Sequence, residues 1–243
     1  MQLLFTFETG DDFILPLHYN HLLQGFIYNA IDPQLSQFLH GYGYLVDNRP
    51  FRLFVFSRLI GSFEIDSKTQ HIRFGPKVQL WVSSPLEEFC QSMIRNIFRR
   101  GDLYLGSHIL HSIALEHNEP VVTEARITVQ TLSPVTVYST LLRPEGGKYT
   151  AYFQPGDPDY DALVTENLRR KYQAAYHQNP PKGEVTVQTR SRLKRNILQY
   201  KNFIIKGYSG RLQLQGPPEL LQMALDAGLG AKSSQGLGFV HLK

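Results

Sequence analysis

A single cysteine, Cys90, in a chain of 243 residues leaves no partner for an internal disulfide and no cysteine-rich set for a zinc knuckle. A reducing compartment, the cytoplasm, is the expected location. No apolar run approaches the ~18 residues that a membrane span needs. The start, MQLLFTFETGDD, has no basic leader region and meets Asp11 and Asp12 where a cleavage site would stand. Secretion and membrane insertion are therefore not expected. Glycine (19) and proline (14) are too sparse for a collagen-like or low-complexity chain, and 42% hydrophobic residues are too many for a disordered one. At roughly 100–200 residues per domain, the length suits one large domain or two small ones.

What is present is unevenly spread. The net charge is +4, yet residues 1–121 carry 9 Lys and Arg against 12 Asp and Glu, while residues 122–243 carry 16 against 9. Between Arg169 and Lys206 there are 10 basic residues and one acid, Glu184, interleaved with Tyr172, Tyr176, Tyr200 and Phe203. A solvated basic face would account for such a stretch, but the asymmetry of sign and the aromatic interleaving point to a polyanion, and among polyanions to nucleic acid.

Periodicity gives the elements. Gln2 to Glu8 has strand character. From Leu17 to Ile31, Leu22, Leu23, Phe26, Ile27, Ala30 and Ile31 recur at helical spacing, which puts His18, His21, Gly25 and Tyr28 together on the opposite face. Asp32-Pro33 opens a second, short helix through Leu35, Phe38 and Leu39, expected to stop at His40-Gly41 with glycine in the left-handed cap. FRLFVFSRLIGSFEID and HIRFGPKVQLWVSS read as strands, Pro85 to Arg100 as an amphipathic helix, and DLYLGSHILHSIALE as strand material. The second half repeats the outline: EARITVQTL and PVTVYS as strands, a helix from Tyr160 to Tyr176, NFIIKGYSGRLQLQG as a strand pair, a helix opened by Pro217-Pro218, and a final strand in GLGFVHL. The expected fold is α+β, two tandem ferredoxin-like (RRM-like) domains with antiparallel sheets, divided as residues 1–120 and 121–243.

The most distinctive local sequence is GLGAKSSQGLGFV, Gly228 to Val240. Its glycines leave backbone N–H groups unshielded, and Gly230, Lys232, Ser233, Ser234 and Gln235 could hold phosphate oxygens. A helix cap with a tight turn required by packing explains the same glycines. The loop lies between a helix and the last strand, so it matches neither a P-loop nor a dinucleotide fingerprint, and no nucleotide cofactor is expected.

This loop resembles the signature of the CRISPR-associated repeat-RNA endoribonucleases, the repeat-processing members of the superfamily of repeat-associated RNA-binding proteins. The segment FLHGYGYLVDNRPFRLFVFS, His40 included, resembles the same family independently. The resemblance implies a nuclease that cuts precursor CRISPR RNA within each repeat without a metal or cofactor. The substrate's own 2′-hydroxyl would attack, leaving a 2′,3′-cyclic phosphate and a 5′-hydroxyl. A non-catalytic RNA-binding subunit of a CRISPR effector is the alternative. The implied partner is CRISPR repeat RNA, with an effector complex or a second copy of the chain beyond it.

Such chemistry needs proton removal, protonation of the leaving oxygen and stabilisation of charge on phosphorus. An imidazole, with a free pKa of about 6.5, suits either proton transfer. His40 stands at a helix C-terminus, where the macrodipole favours the imidazolium. Tyr28 matches a tyrosine that some family members place opposite the histidine, and its position off the apolar stripe leaves it free to reach a phosphate. The lysine that some relatives carry beyond the histidine is missing; Arg49 or Arg52 could supply charge but not a proton. His18 and His21 are a second candidate proton-transfer pair; as metal ligands they lack a third donor. His108 and His111 read as structural, on opposite faces of a strand. For holding RNA, Arg190, Arg192 and Lys194 would share one face if TRSRLKRN is a strand, with Arg195 beside them. Arg169, with Arg170 and Lys171, forms a second cluster on a helix, read mainly as a solvated face. Tyr200 and Tyr208 are candidate stacking platforms.

Overall fold

In the computed structural model, which describes residues 1–100, 103–200 and 203–243, the chain builds two antiparallel sheets of the same plan. The first runs Val55–Phe56, Lys77–Ser83, Gln2–Glu8, His108–Asn118 and Leu103–Leu105 in spatial order. Helices α1 (Asn20–Ala30), α2 (Pro33–Gly41) and α3 (Glu87–Arg99) complete this half. The second sheet runs Thr186–Thr189, Arg211–Gln215, Arg126–Thr131 and Val240–Leu242, with α4 (Tyr160–Tyr176) and α5 (Pro218–Ala227). In each sheet the first strand of the unit lies between the third and the fourth, with the second outside the third. That is the ferredoxin-like β-α-β-β-α-β arrangement, and the fold is α+β as expected.

Two cores fill these units. Leu3, Phe5, Phe7, Phe26, Ile27, Phe54, Phe56 and Phe89 centre the first, and Val129, Val164, Leu168, Leu212, Leu214, Leu220 and Leu221 the second. The segment after α2 crosses over, since Val46 and Leu53 pack into the second core.

The strand Gln2–Glu8 is buried on both faces from Gln2 to Phe7. Leu3, Phe5 and Phe7 point into the first core, while the opposite face receives the other half of the chain. There the Gln2 amide, wholly buried, donates to the carbonyls of Leu225 (3.2 Å) and Val240 (3.3 Å). The amino terminus pairs with Asp226 at 3.1 Å, and the Trp81 and His241 rings meet tilted by 45°, centroids 4.8 Å apart. A buried amide that is half of a polar network cannot be lost without orphaning its partners.

Several expected elements are corrected. The stretch from Leu17 to Ile31 is not all helix. Phe13 and Leu15 alternate inward in a strand, Phe13–Pro16, paired with His71–Phe74, and α1 begins only at Asn20. His18 therefore lies in a turn, off the helical face expected to carry it. Helix α2 runs to Gly41, and Gly43, with φ +66°, takes the left-handed position, its N–H donating to the Phe38 carbonyl at 2.8 Å. NFIIKGYSGRLQLQG is not a hairpin: Phe203–Ser209 pairs with Lys194–Tyr200, while Arg211–Gln215 belongs to the core sheet. TRSRLKRN is consequently not one strand. Thr189 ends one strand, Lys194 begins another, and the residues between them carry the chain from one sheet to the next. A further hairpin, Val137–Leu142 with Lys148–Phe153, extends beyond the short PVTVYS run.

Replacing Gln2 by Leu keeps the volume, takes a donor from the Val240 and Leu225 carbonyls, the latter keeping the Ser83 hydroxyl at 3.1 Å, and removes the partner of His241 Nδ1. The expected loss is about 1–3 kcal/mol of stability, read as a lower urea midpoint at unchanged slope; a midpoint equal to wild type would show that the joint between the halves does not depend on this amide.

Candidate functional site

Helix α1 ends beside the last turn of α2, and this brings Tyr28 and His40 together, ring centroids 5.4 Å apart and nearly perpendicular. The other edge of Tyr28 meets Phe54 at 5.5 Å, so the phenol is half-buried rather than free of the core as its position off the apolar stripe suggested. Burial raises its pKa above the ordinary tyrosine value, against an opposing pull from the hydrogen-bonded Arg52 guanidinium. The His40 imidazole is exposed. Arg52 donates to the carbonyl of Leu39 at 3.1 Å and to that of His40 at 3.5 Å, satisfying the end of α2 while holding a cation beside the two rings. Arg49 lies exposed in the short Arg49–Phe51 strand, paired with Val46, and is not drawn into this cluster. A groove of about 690 Å³ opens from Tyr28 and His40 along Asn29, Ser36, Gln37 and Tyr42 to Arg100.

His18 and His21 do not line the groove. His18 Nδ1 accepts from the Gln199 N–H at 3.4 Å, and burial followed by the nearby Arg58 charge lowers its pKa. His21 bonds the His18 carbonyl at 3.1 Å, and His108 the Ile14 carbonyl at 2.9 Å. Among the described residues no group of three or more His, Cys, Asp or Glu side chains is placed to hold a metal ion.

The glycine loop is organised from beneath by a lysine. Lys171, read from sequence as part of a solvated cluster, is buried, and the three N–H donors of its ammonium are shared among four acceptors, the carbonyls of Ala227 (3.0 Å), Gly228 (2.6 Å) and Gly230 (2.8 Å) and Ser233 Oγ (2.8 Å). Burial alone presses its pKa down to about 7; four acceptors at hydrogen-bond distance favour the charged form. Gly230 and Ser233 are thus buried members of the loop's frame. A side chain on Gly230 would meet the Thr136 carbonyl at 2.5 Å, and one on Gly238 would collide with the Leu229 carbonyl. Lys232, itself in the left-handed region at φ 61°, places its ammonium 5.2 Å from the Tyr138 ring centre.

The loop's outer side docks on α1. Asn20 donates to the carbonyls of Gln235 (2.9 Å) and Gly236 (3.2 Å), and Gln24 to that of Ser234 (2.6 Å). The Tyr200 hydroxyl, in turn, bonds Gln24. Asn20, Gln24 and Tyr28 are spaced four apart and share one helical face, so a single stripe of α1 carries both the glycine loop and the ring that meets His40. This stripe, Lys171 and Arg100 were missed from sequence. The signals were there: Asn20, Gln24 and Tyr28 keep helical register, and Lys171 falls on the apolar stripe of Val164 and Leu168.

The expected RNA-holding cations divide. Arg169 bonds the Gly183 carbonyl at 3.1 Å, and Arg170 pairs with Glu166 (2.8 Å) and Asp47 (3.3 Å). Arg190 donates to Gln213 and Gln188. Arg192, Lys194 and Arg195 are exposed at the base of the hairpin that continues to Tyr200. Tyr208 is half-buried.

A family model described as CRISPR-associated protein Cas6, C-terminal, matches residues 117–242, and one described as CRISPR-associated protein Cas6, N-terminal, matches residues 14–112. The protein named CRISPR-associated endoribonuclease Cas6 1 of Methanocaldococcus jannaschii is 25% identical over 237 residues, 96% of this chain and 89% of its own. CRISPR-associated endoribonuclease Cas6 of Pyrococcus furiosus is 26% identical over 243 residues, 95% and 84%. A solved structure of a Cas6-related gene product from Pyrococcus furiosus covers 100% of this chain and 98% of its own, with a TM-score of 0.85 and 19% identity. A structure described as a RAMP protein binding different RNA substrates gives 0.82 at 19%, covering 100% and 99%. At these identities the structural likeness is one of fold.

Lys171→Met fills the same space and removes the donor from three carbonyls and a hydroxyl. It is expected to lower stability by at least about 2 kcal/mol and to speed amide hydrogen exchange in residues 229–238 more than in the first sheet; uniform protection would show that the loop holds its shape unaided.

Proposed function

The chain belongs to the Cas6 family of CRISPR-associated proteins, and from that premise we propose that it is an endoribonuclease that cuts precursor CRISPR RNA once within each repeat, without a metal ion. The attacking group is the substrate's 2′-hydroxyl. Its oxygen bonds to the adjacent phosphorus, the bond from phosphorus to O5′ breaks, and the products are a 2′,3′-cyclic phosphate and a 5′-hydroxyl.

The observation that carries this reading is the meeting of His40 and Tyr28 at one groove, with Arg52 hydrogen-bonded behind them. His40, exposed at the end of α2, gives its proton to the departing O5′. Arg52 cannot act as an acid at neutral pH; its charge and that of the phosphoryl oxygens attract as the pentavalent state forms. Tyr28, its phenol kept protonated by burial, donates a hydrogen bond to a non-bridging oxygen. The groove is open, and water takes the 2′ proton. The division of charge supports the same assignment: the cations exposed on the second half, Arg192, Lys194 and Arg195, hold the backbone of the RNA, and the first half cuts it. The loop residues Ser234 and Gln235 are docked on α1 through their carbonyls, next to Lys232, whose ammonium lies over the Tyr138 ring.

His40→Ala is expected to lower the single-turnover cleavage rate of repeat RNA in EDTA by at least about 10²-fold while leaving affinity within severalfold, and a 2′-deoxy nucleotide at the cut should stop wild-type cleavage without stopping binding. Cutting by the variant, or of the deoxy substrate, would overturn the mechanism; RNA bound but intact with wild-type protein would make the chain a non-catalytic subunit. Arg192→Glu with Lys194→Glu should weaken binding to any repeat sequence and flatten the salt dependence by about one power of salt concentration for each phosphate no longer neutralised. An unaltered slope would place the RNA elsewhere.

A further inference from the structure

The groove does not end at His40. Its far wall is the end of α3, where the Arg100 guanidinium donates to the Asn29 carbonyl in the last turn of α1. That bond anchors one of five guanidinium N–H donors and leaves others for a ligand. The nearby carboxylate of Asp32 is already engaged by Arg95 and Asn96, each at 3.0 Å. Arg99 and Arg100 are exposed, so a positive rim stands in the half of the chain that is acidic overall.

The same groove is lined by Tyr42, 72% exposed, its backbone fixed by an N–H bond to the Phe38 carbonyl at 2.9 Å. An exposed phenol ring on a backbone so fixed offers a face on which a base can stack. Gln37 and Ser36 on α2 add an amide and a hydroxyl to the same lining. A cation, an exposed aromatic face and an amide in about 690 Å³ match the phosphate, the base face and the base edge of one nucleotide, and the volume is within the usual range for small-ligand sites.

We propose that this groove seats the nucleotide next to the scissile phosphate, with its phosphate on Arg100, its base against Tyr42 and its base edge read by Gln37. The inference rests on the catalytic reading of His40 and extends it: Arg100 fixes the strand in register with the imidazole, and Gln37 makes the cut selective for the neighbouring base.

The test uses synthetic repeat RNAs in which single phosphates, from two before the cut to two after it, are replaced by uncharged methylphosphonate. With Arg100→Ala, kcat/KM on ordinary RNA is expected to fall about tenfold. Wild type should suffer a similar loss at one position flanking the cut, and there the variant should lose nothing more, whereas elsewhere the two losses multiply. Arg100→Lys, which keeps the charge, should recover part of the rate, and because Arg100 is on the surface the variants are expected to keep the wild-type urea midpoint. Multiplying losses at every position, or full activity of Arg100→Ala, would overturn the subsite. Binding of 2′-deoxy RNA, measured on the same set, separates the two readings: coupling there with a His40→Ala protein that still cuts would refute the catalytic role of His40 and leave the subsite standing.

Discussion

One buried ammonium sets the shape on which the rest depends. Lys171 has no carboxylate opposite it; its charge is met by three peptide carbonyls and a hydroxyl. Hydrogen bonds to a charged donor contribute about 1.5–3 kcal/mol each, enough together to offset much of the cost of taking a lysine out of water. The geometry demanded is severe. To aim the carbonyls of 227, 228 and 230 at one nitrogen, the chain after α5 must turn back on itself, and φ values of 85° at Gly228 and 79° at Gly230 are what that turn requires. The glycines are therefore the consequence of a cation beneath the loop as much as of any ligand above it.

The loop so formed is a rigid part that can be docked, and α1 is what it docks on. Helical rise is about 1.5 Å per residue, so Asn20, Gln24 and Tyr28 mark a line about 12 Å long, loop at one end and His40 at the other. Tyr200, reaching Gln24 from the hairpin of the second unit, joins the same line. A displacement of either unit would break several of these bonds at once. The buried Gln2 amide and the pair of the amino terminus with Asp226 hold the units at the opposite side of the joint. The geometry of the Tyr28 side of the groove is thus tied to the interface between two similar units.

The repeated ferredoxin-like plan was legible because its periodicities are plain: the bounds of α4 and the proline start of α5 agree with the structure to within a residue. The place of His40 in the last turn of α2 was legible from the proline start and the spacing of Leu35, Phe38 and Leu39. What escaped reading followed from two physical causes. Lys171 was grouped with its sequence neighbours Arg169 and Arg170, although helical geometry puts it with Val164 and Leu168; a charged residue on an apolar stripe signals a buried acceptor set, but only the fold shows that the chain from Ala227 to Ser233 provides it. TRSRLKRN failed for the converse reason. No local pattern records that strands on either side of Arg190 to Leu193 pair in different sheets, because that choice is made by Arg211–Gln215 and Phe203–Ser209 further along the chain.

The distribution of charge completes the physical argument. Screening at physiological salt confines the reach of exposed charges to about 8 Å, so a cation acts on the groove beside His40 only from close by. An acidic first unit that cut a polyanion would need cations of its own at the groove. It has them, and each is tied to the backbone of a helix end: Arg52 to the carbonyls that close α2, Arg100 to the last turn of α1. Carbonyls at helix C-termini carry partial negative charge and lack intrahelical donors, which makes them the natural anchors for guanidinium groups that must keep other N–H donors free. The two helix ends that place Tyr28 and His40 side by side therefore also place the positive charge beside them, and the groove between is positive for a local reason that the composition of the half does not reveal.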